Sequence, residues 1–119
     1  MLKRKYQIIL LSNGEKQLSI VFEDSKYDIL STFLFIEITA FEEWIKEEFD
    51  KVLSGQSQYE EINGNICCAE ITPTLTRIYN NLADDGMGNW CEINTKKLRI
   101  IIDEWCEQNK KLNEGQSIL

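Results

Sequence analysis

The densest group of chemically capable side chains is the stretch NLADDGMGNW at residues 81–90, where two adjacent acids, two glycines and a tryptophan share one short connection. A calcium loop of the helix-loop-helix kind needs oxygen ligands at alternating positions around a central glycine, closed by a bidentate glutamate. Asp84, Asp85, Gly86, Asn89 and Glu92 miss that register, and a strand rather than a helix is expected to follow. A phosphate cradle needs glycines leading into a helix N-terminus with a lysine nearby. Gly86-Met87-Gly88 has neither, and the two aspartates repel the anion. Two readings stay open. Asp-Gly is a common tight-turn pair, so the stretch can be a plain hairpin tip. It can also be a binding loop whose carboxylates meet Arg or Lys and whose Trp90 is an anchor, although the first expectation for Trp90 is a core position.

The rest of the chain offers little catalytic apparatus. There is no histidine, the commonest general base and metal ligand. No Gly-x-Ser-x-Gly elbow occurs, and a Cys-His nucleophile is impossible. A Cys-Asp or Ser-Lys pair stays open, but no spacing selects one. Cys67 and Cys68 are adjacent, while Cys91 and Cys106 stand alone. Without histidine or a C-x-x-C pair these four thiols make a poor zinc site, so the reading is small buried apolar side chains in a reducing compartment. Neither a catalytic residue, a metal nor a cofactor is expected.

Charge points to a protein partner. The chain has 20 acidic and 13 basic residues, but residues 23–95 alone carry 15 Asp or Glu against 4 Lys or Arg, whereas residues 1–22 sum to +3. Nucleic-acid phosphates need clustered Lys and Arg, which this middle region lacks, so direct DNA or RNA binding is disfavoured. A negative field suits steering toward a basic protein, although solubility alone explains many acidic proteins. Glu60, Glu61, Asp84, Asp85 and Glu92, with Trp90 as anchor, are the candidate partner-binding residues.

These residues must be positioned by a small domain. With 119 residues, 43% apolar and 28% charged, the chain reads as one globular domain over 1–119, with a tail beyond Asn113 that frays. Tyr6–Ser12 and Gln17–Glu23 are strand-like around Asn13-Gly14, a hairpin signal. Residues 24–38 fit a short helix or a strand, and the run Phe33, Leu34, Phe35, Ile36 and Ile38 leans toward a buried strand. Thr39 with Glu42 reads as a capping box opening a helix, whose apolar stripe is Phe41, Trp44, Ile45, Phe49, Val52 and Leu53 and whose stop is Gly55. The polar stretch GQSQYEEINGN follows. Ile66–Ile71 and Leu75–Tyr79 form a second hairpin across Thr72-Pro73-Thr74, Trp90–Ile93 is a short strand, and Asn94 or Thr95 caps a helix with the stripe Leu98, Ile101, Ile102, Trp105 and Leu112. The fold class is α+β: a mostly antiparallel sheet of five or six short strands with two amphipathic helices packed on it.

The order of these elements, with EWIKEEFDKVLSG, GNICCAEITPTLTRIY and CEINTKKLRIIIDEW, resembles small bacterial immunity proteins of contact-dependent growth inhibition and related polymorphic toxin systems. The resemblance covers roughly residues 6–108. It implies a cytoplasmic, non-catalytic protein that binds one cognate toxin domain, often a nuclease, and blocks its active site or a neighbouring surface. The longest apolar run, Ile8–Leu11, is too short to span a bilayer, and no cleavage site follows the basic N-terminus, in line with a cytoplasmic protein. The alternative is a non-inhibitory adaptor or regulatory module.

Overall fold

A computed structural model describes residues 2–81 and 90–118. The first hairpin joins β1 (Arg4–Leu10) to β2 (Lys16–Phe22), pairing Tyr6 with Ile20 and Ile8 with Leu18. Gly14 has φ +87° and donates to the Leu11 carbonyl at 2.9 Å, while the Asn13 side chain accepts from Glu15 N at 2.9 Å. The left-handed residue is where glycine is least strained. Leu18, Ile20 and Phe22 point inward and Val21 points out, so β2 alternates after all.

Residues 28–53 run as one bent helical course: α1 (Asp28–Thr32), a π-helical segment (Phe33–Ile38) and α2 (Thr39–Leu53). The strand expected over residues 33–38 is therefore a helix. A run of apolar residues carries no period of its own, and here Phe33, Leu34, Glu37 and Ile38 turn inward at helical spacing. The capping box at Thr39 is also absent, because the preceding turns already occupy the amides a cap would serve. Thr39 Oγ1 instead donates to the Leu34 carbonyl at 3.3 Å, and Glu42 pairs with Lys46 at 3.1 Å. A kink at Phe41, with φ −133° and ψ 39°, breaks the stripe. Ile38, Ile45, Phe49 and Val52 are buried, whereas Phe41 and Trp44 stay exposed and pack edge to face with ring centroids 5.8 Å apart. Gly55, at φ +83°, ends the course as expected.

The second sheet contains β3 (Glu60–Asn63), β4 (Cys67–Ile71), β5 (Leu75–Asn80) and β6 (Trp90–Asn94), in that order and antiparallel throughout. The polar stretch thus hides an edge strand, masked because Ile62 is its one buried residue. The Asn94 side chain caps α3 (Thr95–Asn113) by accepting from Lys97 N at 3.0 Å. Its buried stripe is Leu98, Ile101, Ile102 and Trp105, and Gly115 at φ +73° closes the helix before Ile118 packs back on the core. The α+β class holds, with the strands divided into a two-stranded and a four-stranded antiparallel sheet. The helical layer lies between them: α1 and α3 each touch β2 on one side and β5 and β6 on the other.

Candidate partner-binding surface

Alternation along the four-stranded sheet divides its residues between two faces. Ile62, Ala69, Ile71, Thr76, Ile78, Cys91 and Ile93 go inward. On the outward face the register builds a cross-strand row of charges: Glu61 opposite Glu70, Glu70 opposite Arg77, and Arg77 opposite Glu92. The neighbouring row runs Asn63, Cys68, Tyr79, Trp90. Trp90 is 43% exposed, Tyr59 47% and Leu75 46%. Three acids thus surround one base on a strand-built platform edged by aromatic rings.

Arg77 ties the two rows together. Its guanidinium carbon lies 5.1 Å from the centre of the Trp90 ring, and its Nη2 is 3.4 Å from Glu92 Oε1. Both contacts are solvent-exposed, where a cation–π contact is worth about 0.5–1 kcal/mol and an ion pair about 0–1. They orient Trp90 and Glu92 more than they stabilise the fold. Burial, with the Cys68 thiol and Glu70 nearby, pushes Tyr79 up to about 12, so its hydroxyl stays protonated and able to donate.

Of the residues singled out in the sequence, Glu61, Trp90 and Glu92 share this face. Glu60 does not: adjacent strand residues point to opposite faces, and Glu60 turns toward the C-terminal part of α2, where the Ser57 hydroxyl, then Glu48 and Lys51, lower its pKa. Asp84 and Asp85 lie outside the described residues. Trp90 is exposed, against the first expectation of a core position. Tyr59, Glu70 and Tyr79 were missed, although once β3 and the hairpin are aligned they follow from the period-2 pattern.

A further residue missed in the sequence fixes the rim of this surface. Glu37, fully buried in the π-helical segment, accepts from Asn65 N at 2.8 Å through one oxygen and from Ile66 N and Cys67 N at 2.8 and 2.9 Å through the other. A Cβ on Gly64 would collide with that carboxylate, so position 64 requires glycine. Asn81, at the end of β5, donates its backbone amide to the Ile66 carbonyl at 2.9 Å and its side-chain amide to the Gly64 carbonyl at 3.3 Å. One buried acid therefore holds the β3–β4 turn, and that turn holds the point where the 82–89 connection leaves the sheet. The signal in the sequence was an acid inside the run FLFIEI.

No protein-family model matches the chain. No solved structure matches it. Among curated proteins, an immunity protein of Bacillus cereus is 37% identical over 116 residues, covering 98% of this chain and 97% of that protein. Identity at that level along almost the whole length means that the chain belongs to the family of this Bacillus cereus immunity protein.

Proposed function

We propose that the protein is the cytoplasmic, non-catalytic antidote of a contact-dependent or related polymorphic toxin system, and that it neutralises a basic toxin domain, with the positive cleft of a nuclease as the natural target, through the outward face of the four-stranded sheet. The observation that carries this reading is the row Glu61, Glu70, Arg77, Glu92 beside exposed Tyr59 and Trp90. A nuclease cleft built to receive phosphate attracts carboxylates by the same field, and carboxylates meeting Arg or Lys form the stronger, charge-assisted hydrogen bonds. Aromatic rings beside them supply the apolar contact that interface hot spots require. Asp84 and Asp85 belong to the same proposal, because the connection that carries them joins β5 to β6, the strands of Arg77, Trp90 and Glu92. Bound there, the protein occludes the active site or a surface next to it.

The test is co-expression with the product of the neighbouring gene as candidate toxin, read by growth rescue and by binding affinity. Reversing Glu61 and Glu92 to Lys together is expected to weaken binding at least tenfold, most strongly at low salt, and to abolish rescue, while costing no more than about 1 kcal/mol of stability from the exposed Arg77 pair. Unchanged affinity in that double variant would remove the sheet face from consideration.

A further inference from the structure

Strand β1 has one paired edge and one open edge. Leu11 N donates to the Glu15 carbonyl at 2.8 Å and Glu23 N to the Lys3 carbonyl at 3.0 Å. Between these bonds the register pairs Lys5 with Val21, Gln7 with Ser19 and Ile9 with Gln17. In an antiparallel ladder bonded and non-bonded pairs alternate, so the odd residues from Lys3 to Leu11 aim their backbone groups at β2. Arg4, Tyr6, Ile8 and Leu10 then aim theirs the other way, toward an edge that no other described strand pairs.

That edge lacks the usual protection along its second half. Ile8, Ile9 and Leu10 are 46%, 42% and 69% exposed, and the charges that discourage pairing, Lys3, Arg4 and Lys5, are confined to its beginning. Beside that beginning lies a pocket of about 170 Å³ lined by Leu2, Arg4, Lys97, Ile100 and Ile101.

We propose that the open edge of β1 pairs with β1 of a second copy of this chain, antiparallel and centred on Gln7, so that two hairpins join into one four-stranded sheet across a two-fold axis. Tyr6 then faces Ile8 and Arg4 faces Leu10 of the other copy, so the outward amides and carbonyls of each strand meet those of its mate. Leu10, an exposed apolar side chain, arrives on the same face as Arg4 of the other copy, where the pocket with Leu2 and Ile100 opens. The register also keeps the cations of the two copies from facing one another. Lys5 faces Ile9 and Lys3 faces Leu11, with no cation opposite another. Glu15, the one acid among residues 1–22, pairs with Leu11 across the hairpin and so sits at the end that receives Lys3.

Sedimentation and light scattering of the full chain are expected to give twice its 13.9 kDa. Leu10→Lys, at a largely exposed position, is expected to return the mass to one chain without altering the circular dichroism. Gln7→Cys is expected to form a covalent dimer under mild oxidation, since directly opposed non-bonded residues have Cα atoms about 4.5 Å apart, within disulfide range. Ile9→Cys, opposed by Lys5, is expected to stay uncrosslinked. A monomeric wild type, a dimer that survives Leu10→Lys, or crosslinking through Ile9→Cys instead of Gln7→Cys would each overturn the proposal. A monomer whose Leu10→Lys variant loses toxin binding would assign the edge to the toxin and overturn self-pairing as well.

Discussion

The Glu37 carboxylate and the Cys67 amide, thirty residues apart in the chain, meet at 2.9 Å in a fully buried contact that joins the helical course to the sheet. With Asn65 and Ile66 also donating, the acid satisfies three amides that the β3–β4 turn leaves unpaired. Replacing Glu37 by Ala is expected to destabilise the protein by about 3–5 kcal/mol, because one buried and two part-buried amides lose their acceptor at once. Chemical denaturation measures this, and a loss below about 1 kcal/mol would show that water replaces the carboxylate at little cost. Gly64→Ala should fall in the same direction, since its Cβ enters the space of the same group.

Trp90 and Trp105 should separate binding from stability. Trp105 is 2% exposed, stacks near Tyr6 with ring centroids 6.3 Å apart, and its indole N–H donates to Thr39 Oγ1 at 3.4 Å. Trp105→Ala is expected to cost about 3–5 kcal/mol of folding free energy. Trp90→Ala should cost less than about 1 kcal/mol of stability yet weaken toxin binding by about 2 kcal/mol or more. Thermal melts and titration calorimetry on the same two variants check both halves.

Acid sensitivity should trace in part to Glu104. Arg4 donates to both of its oxygens at 2.8 Å and the Tyr6 hydroxyl adds a third bond at 2.8 Å. The Arg4 hydrogen bond is the main cause that lowers Glu104 below the ordinary value of 4.5. A carboxylate with a depressed folded pKa contributes stability that is fully present above its unfolded value and is lost as pH falls through the folded one. Glu104→Gln should therefore lower the melting temperature at pH 7 and flatten its fall below about pH 4.5. Parallel pH profiles for the two proteins would sink this assignment.

The thiols should be slow to react. Burial pushes Cys67, Cys91 and Cys106 each up to about 12, leaving little thiolate at neutral pH. Alkylation at pH 8 is expected to leave Cys67 and Cys91 unmodified in the native protein and to label both on unfolding, as mass spectrometry of digested protein would show.

Local sequence pattern determined the hairpin at Asn13-Gly14, the β4–β5 hairpin, the cap and stripe of α3, the stop at Gly55 and the acidic surplus of the middle region. Each is written in neighbours a few residues apart, where backbone hydrogen bonding and side-chain period act. Tertiary structure alone decided what those elements do for one another. Residues 33–38 became helical because Phe33, Leu34, Glu37 and Ile38 pack inward on one helical face, and the apolar run Phe33–Ile36 carries no period to say so in advance. Glu37 is an acid among them because amides from a turn thirty residues later needed an acceptor. Glu60 and Glu61, alike in composition, parted to opposite faces once β3 paired with β4. Of the tryptophans, Trp105 was enclosed while Trp44 and Trp90 stayed at the surface, since burial depends on which elements pack against a side chain, and the residue's own apolar character does not fix that.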